Sequence, residues 1–196
     1  MANASNQITR ILYKEIAEGD LLKFKAISNT SDTGGGARDL RIRPFDEFLP
    51  VIKLIFPETV TEKRRRGGKS VNQDIFKGKF HSTDSTGKDK IEDVYFEPPT
   101  DARPNEGRIA RVSSYTCFHT TLQFKANDKI FLLLVQMTDK SVWPYFYYES
   151  SFRQKGLWHP TVEKALTDCV DAKRAKGNVV MGYYDFTTQK GYCNGK

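Results

Sequence analysis

The sequence predicts a mostly-β fold of the α+β class: a single domain over residues 1–196, built as a barrel or curled sheet of about seven strands with two or three short helices. Three observations lead there. Apolar runs of strand length recur along most of the chain and are separated by Gly, Pro, Asn, Asp and Ser clusters. The longest run, Ile130-Phe131-Leu132-Leu133-Leu134-Val135, falls far short of the roughly 18 apolar residues of a membrane span. With 196 residues, 38% of them hydrophobic and 28% charged, and no internal repeat or low-complexity linker, the chain can bury one globular core.

The elements follow in order. Ile8, Ile11, Leu12 and Ile16 recur at helical spacing, so a short amino-terminal helix is expected, with Gly19 as its stop. Leu22, Phe24 and Ala26 alternate with Lys23 and Lys25, the pattern of a half-buried strand. A Ser/Asn/Thr/Asp/Gly cluster over 28–36 reads as a loop, because three successive glycines carry too high an entropic cost inside a helix or strand. Leu40 and Ile42 then alternate with Arg41 and Arg43 in a short strand. Phe45, Phe48, Leu49, Ile52, Ile55 and Phe56 give a helix that Pro50 should bend or shorten and Pro57 should end.

The stretch 63–69 reads as a basic, glycine-interrupted loop, and strands are expected at 75–80 and 94–96 around a polar turn. Pro98, Pro99 and Pro104 stiffen the approach to Asn105. Further strands are expected at 118–124, 130–137 and 142–148, the first two joined through the turn 125–129. Pro160 opens a helix to about 176, with Val162, Ala165, Leu166, Cys169 and Val170 on one stripe, basic residues in its last turn and Gly177 beyond. A closing strand follows at 179–186.

The net charge of +7 and pI near 9.2 favour an anionic partner without naming it. No basic segment followed by an apolar core marks an export signal. Three widely spaced cysteines, Cys117, Cys169 and Cys193, without a C-x-x-C pair, suit a reduced cytoplasmic compartment better than a disulfide framework. His81, His119 and His159 lack ligand-like spacing, so no metal site is expected.

Catalytic motifs are weak. Gly68-Lys69-Ser70 lacks the first glycine of a phosphate loop, Lys63 standing in its place. There is no G-x-S-x-G elbow. A metal-dependent nuclease needs a carboxylate and a D/E-x-K pair on adjacent strands; Asp171-Ala172-Lys173 lies on an expected helix, and Asp128 and Asp139 sit directly beside their lysines. The run Trp143-Pro144-Tyr145-Phe146-Tyr147-Tyr148 suits either core packing or a base-stacking platform.

Two arginine-bearing segments carry more. The first is Asp32-Thr33-Gly34-Gly35-Gly36-Ala37-Arg38, followed by Arg41 and Arg43; the second is Asn105-Glu106-Gly107-Arg108-Ile109-Ala110-Arg111. Each joins backbone freedom to forked cationic donors, which suits loops that enter a DNA groove. Arg38, Arg108 and Arg111 can each fork onto guanine O6 and N7, a contact worth about 1–3 kcal/mol of discrimination, and Asp39 or Glu106 can accept from cytosine N4. Lys23, Lys25, Arg41, Arg43 and Lys69 would serve phosphates, each adding about one unit to the salt slope.

The order of these strings over residues 21–115 resembles the amino-terminal effector domain of EcoRII-type restriction endonucleases, a B3-like pseudobarrel, including monomeric relatives of the UbaLAI kind. The matching elements are Asp32-Thr33-Gly34, Gly35-Gly36, the short strand to Pro44, Phe56-Pro57, and Asn105, Glu106, Arg108, Ile109 and Arg111. Ala37-Arg38 stands where the family has a His-Gln pair, and Val112-Ser113-Ser114 where it has Trp-Gly-Arg.

The resemblance implies sequence-specific binding of double-stranded DNA, at 5′-CCWGG, by two loops entering the major groove. Asn105 would join the base readers, and Thr33, Gly34, Gly35, Gly36, Ser113 and Tyr115 the loop and phosphate contacts. It further implies a bacterial, cytoplasmic, non-catalytic effector domain of a restriction-modification system, monomeric in isolation, which binds without a cofactor and does not touch a membrane. Its partner would be a carboxyl-terminal nuclease domain, to which any magnesium would belong. Two other readings stay open: a compact metal-dependent nuclease, and a single-stranded nucleic-acid or RNA binder using the 143–148 run.

Overall fold

The computed structural model describes residues 7–25, 39–66, 69–154, 156, 158–174 and 179–194. Its first half contains β1 (Ile8–Ile16), α1 (Glu18–Leu21) running into a 3-10 turn at Leu22–Phe24, β2 (Leu40–Ile42), α2 (Phe45–Ile55), β3 (Glu58–Arg66), β4 (Lys69–Thr83), β5 (Asp89–Glu97) and β6 (Gly107–Ile109). After 3-10 turns at Val112–Ser114 and Thr116–Phe118 come β7 (Ile130–Met137), β8 (Val142–Tyr148), α3 (Glu149–Phe152), α4 (Pro160–Arg174), β9 (Met181–Asp185) and β10 (Lys190–Cys193). The fold is mostly β, as expected: one curled half-barrel sheet with short helices. Its order is β10-β9-β1-β7-β8-β4-β5-β6-β2, with β3 paired to β4 off this path. Ten described strands replace the expected seven or so.

Two buried clusters flank the sheet. Leu12 and Ile16 of β1 face a core with Phe48 and Ile52 of α2 and Phe56 just past it, while Ile11 and Tyr13 face a second core with Val162, Leu166 and Val170 of α4. In the first, aromatic rings follow one another from Phe24 to Phe118, Phe80, Phe56, Phe96 and Phe45 at centroid separations of 5.2–6.4 Å. Each such ring contributes about 1.5–3 kcal/mol by leaving water, and the row ends under β6.

This two-sided burial explains the main departures from expectation. Residues 8–16 form a strand, not a helix, because β1 lies between β7 and β9 with both faces covered; its apolar residues need not alternate. Over its described residues, 22–25, the expected alternation is not a strand; Ala26 lies outside the described residues. Leu21 and Phe24 are buried three residues apart on a helical turn that passes through Gly19, while Leu22 is exposed.

Pro50 does not shorten α2, which runs on to Ile55; it lies inside the helix on the exposed side. Residues 119–124 have no partner strand, and the chain there is held instead by Thr120 N–H donating to Phe24 O (2.9 Å) and Gln123 N–H donating to the Tyr148 hydroxyl (3.2 Å). The expected basic loop is mostly strand: Arg66 pairs with Lys69 and Lys63 with Asn72, in a ladder that β3 and β4 continue to Glu58 and Lys77.

Strands β7 and β8 and helix α4 match their expected places closely. Three free thiols were expected, yet Cys169 of α4 and Cys193 of β10 form a disulfide, leaving Cys117 as the free cysteine among the described residues. A separation of 24 residues carries no local signal; packing of α4 over β9 and the return of the chain as β10 create the pairing. Among the described residues, no helix is long and apolar enough to cross a membrane.

Candidate nucleic-acid interface

Strand β2, which carries Arg41 just after the first arginine segment, meets the second segment at one end of the sheet. Strands β2 and β6 pair antiparallel, Leu40 with Ile109, Arg41 with Arg108 and Ile42 with Gly107. Alternation along the strands buries Leu40, Ile42, Ile109 and Gly107 and leaves the two arginines opposite one another on the other face. Like charges placed so repel. Each is therefore held by carboxylates.

Arg108 Nε and Nη2 donate to Glu97 Oε2 at 2.9 and 2.6 Å, and Nη1 donates to Asp39 Oδ2 at 2.8 Å. Asp39 Oδ1 also accepts the backbone N–H of Arg111 at 3.2 Å. Asp39 and Glu97 are 5% and 4% exposed. Burial alone would lower the Arg108 pKa, but the Glu97 hydrogen bond and the charges of Glu97 and Asp39 raise it above the ordinary arginine value. The Arg108 fork, expected at a guanine, is thus turned into the protein, and Asp39, expected at a cytosine, is the pin between the end of the first segment and the second.

Gly107 makes this packing possible. A Cβ there would lie 2.5 Å from the Phe96 ring and 2.8 Å from Phe45. Those two rings stack at 6.0 Å beneath the strand. Beyond β6, Arg111 adopts φ 53° and ψ 46°, left-handed geometry that disfavours a side chain. Its side chain is exposed and makes no hydrogen bond or ion pair with the described residues.

Beside this pin lies a polar cleft of about 860 Å³. Six expected contact residues line it together: Lys23, Asp39, Arg41, Arg43, Asn105 and Glu106. Arg43 and Asn105 are exposed. Glu106 lies 3.2 Å from Arg103 Nη1 and 3.4 Å from Arg41 Nε, the latter within ion-pair range but without hydrogen-bond geometry. Lys23 is paired with Asp20.

Other expected residues lie elsewhere. Lys25 is half-buried and donates to Gln123 Oε1 at 3.3 Å. Ser113 is buried, with its carbonyl 3.1 Å from His119 Nε2, and Tyr115 is half-buried against Phe118 at 6.3 Å. Burial raises the Tyr115 pKa. Lys69 opens β4 opposite Arg66. Thr33, Gly34, Gly35, Gly36 and Arg38 lie outside the described residues.

The aromatic run of β8 is divided between the two faces of the sheet. Phe146 and Tyr148 pack against the first core, whereas Tyr147 packs against the second and meets Trp158 edge-on at 4.9 Å. Tyr145 remains the exposed ring of the run.

Two residues escaped the sequence reading. Lys14 lines the cleft from β1, hidden in a stretch whose apolar spacing mimics a helix. Glu97, the main partner of Arg108, precedes Pro98-Pro99 without any motif; only its position opposite Arg108 in the β5–β6 register reveals it. Among the described residues, no group of three or more His, Cys, Asp and Glu side chains is placed to hold a metal ion. Comparison with protein-family models, curated proteins and solved structures finds no match to this chain.

Proposed function

We propose that this chain is a sequence-specific double-stranded DNA-binding module. The observation that carries the reading is the Asp39–Arg108 pin. It joins the start of β2 to the second segment, far away in sequence, at one sheet edge, and Arg43, Asn105 and Arg111 are exposed. Held backbone with free forked or amide donors is what major-groove readout needs. Arg111 is the favoured guanine reader and Asn105 the favoured adenine reader, while Arg108 and Asp39 position them. An arginine kept in left-handed backbone supports the assignment, since such strain collects at functional positions. Arg38 would enter from the first segment.

The biological role proposed from the family resemblance is the effector domain of a bacterial type II restriction endonuclease, acting in the cytoplasm on 5′-CCWGG, with catalysis in a separate nuclease domain. The basic β3–β4 hairpin would add phosphate contacts, so Lys69→Ala should weaken all duplexes alike and lower the salt slope by about one unit.

Equilibrium titration of labelled CCWGG and scrambled duplexes at matched salt tests the reading. Tighter binding of the former by about a hundredfold or more is expected. Equal affinities would sink the claim of specificity, and preference for single strands would redirect attention to the β8 aromatics. Cleavage of plasmid with magnesium, abolished by one carboxylate substitution, would favour a nuclease.

A further inference from the structure

Lys14 is an unusual residue for a strand centre. It is 8% exposed, sits on the Leu12 and Ile16 side of β1, and its ammonium donates to the Arg41 carbonyl at 2.8 Å. Among the described residues, no carboxylate lies within ion-pair distance of it. Three carboxylates do line the cleft, but each has another basic partner: Asp20 has Lys23, Asp39 has Arg108, and Glu106 has Arg103 and Arg41. Two cations are left over, Lys14 and the exposed Arg43, which also has no carboxylate partner among the described residues.

A buried ammonium with spare donors, opening on a polar cavity, calls for an anion. We propose that the cleft is a phosphate-binding site in which the anion sits between Lys14 and Arg43, and that its ligand is a phosphate group on a nucleotide-sized body. The volume of about 860 Å³ accommodates such a body. The exposed Asn105 amide supplies both a donor and an acceptor for it.

Phosphate is favoured over a carboxylate because the site pairs a point-charge ammonium with a guanidinium fork, and several acceptor oxygens satisfy both at once. Burial lowers the Lys14 pKa to about 8, with Asp20 and Glu106 opposing the shift and Arg43 and Lys23 adding to it. The ammonium is therefore still charged at neutral pH, and a bound anion would raise its pKa again.

The same chemistry reaches the protein from two sources, a free phosphomonoester or the backbone of the proposed duplex. Only the second source rests on the DNA-binding reading. The test uses the whole chain, at constant ionic strength set with potassium chloride. Thermal unfolding is followed against inorganic phosphate and deoxyadenosine monophosphate, and duplex binding is followed by fluorescence anisotropy, for the wild type, Lys14→Met and Arg43→Gln.

A saturable rise in the unfolding midpoint with either small anion, weakened about tenfold or more in apparent affinity by both variants, supports a free phosphomonoester. No response to small anions, but duplex affinity reduced about tenfold or more by both variants, supports a backbone phosphate. Binding of all three probes unchanged by either variant overturns the proposal. Arg43 is exposed, so its variant keeps the test informative if Lys14→Met disturbs folding. If small anions bind through Lys14 while no duplex binds, the cleft assignment stands and the DNA reading fails.

Discussion

Asp39 accepts a 2.8 Å hydrogen bond from the guanidinium of Arg108, 69 residues further along the chain. Through its other oxygen it also holds the backbone N–H of Arg111. One carboxylate, just before β2, thus fixes how the second segment emerges from β6. Arg108 works from inside this arrangement, while Arg111 faces outward with its side chain unengaged among the described residues.

Arg108→Ala should therefore act first on stability. It removes the guanidinium that Asp39 and Glu97, both nearly buried, share. The Arg108 side chain is 36% exposed, so the expected loss is about 2–4 kcal/mol rather than the upper end for a fully buried pair. Urea unfolding measures it. A cycle with Asp39→Asn should show coupling of at least about 0.5 kcal/mol; additive effects would mean that the pin is energetically idle.

Arg111→Ala should do the opposite. Its stability effect is expected within about 0.5 kcal/mol, whereas discrimination between matched and scrambled duplexes should fall by about 1–3 kcal/mol. Arg111→Gly should be as stable as the wild type or more so, by up to about 1 kcal/mol, because glycine accepts φ 53° without strain. Anisotropy titration and urea unfolding of the same preparations separate the two effects.

Lys14 gives a pH signature. Its folded pKa of about 8 lies below the ordinary lysine value, so between the two the unfolded chain binds more protons than the folded one. Wild-type stability should rise with pH across that window relative to Lys14→Met, by on the order of 1–3 kcal/mol. Parallel stability curves for the two proteins above pH 8 would contradict the burial of a charged Lys14.

Gly107→Ala should lower stability by about 1–3 kcal/mol, since the new Cβ would collide with the Phe96 and Phe45 rings that support the second segment. Thermal unfolding reads this directly. An unchanged midpoint would mean that the stacked rings can move aside.

Cys193→Ser opens a cross-link between residues 24 apart and should cost about 3 kcal/mol in the chain-entropy account. Reduction of the wild type should reproduce the loss in denaturant midpoint. Identical midpoints for oxidised and reduced protein would argue against a stabilising role for the bond.

The legible parts of the fold were those where local pattern and burial agree. Strands β7 and β8 and helix α4 fall close to their expected places, since an uninterrupted apolar run and a one-sided stripe leave little choice. Strand β1 carries a helix-like spacing because both its faces are covered, which removes the alternation that marks a strand. Strand β10 and the disulfide depend on where the chain returns, and no local spacing records that.

At the site, Arg41, Arg43, Asn105, Glu106, Arg108 and Arg111 were visible as residue types suited to nucleic acid. Their division into positioning and displayed groups was not, since it depends on Glu97 across the β5–β6 ladder. Lys14 was invisible for the same reason as β1.

Selection of bound duplexes from a randomised pool, which presupposes no target, asks whether the chain reads a DNA sequence. The wild-type chain should converge on one short motif, related to 5′-CCWGG, and Arg111→Ala should relax part of it. A pool that stays random after repeated rounds, although the protein is folded and retains duplex, would contradict that expectation.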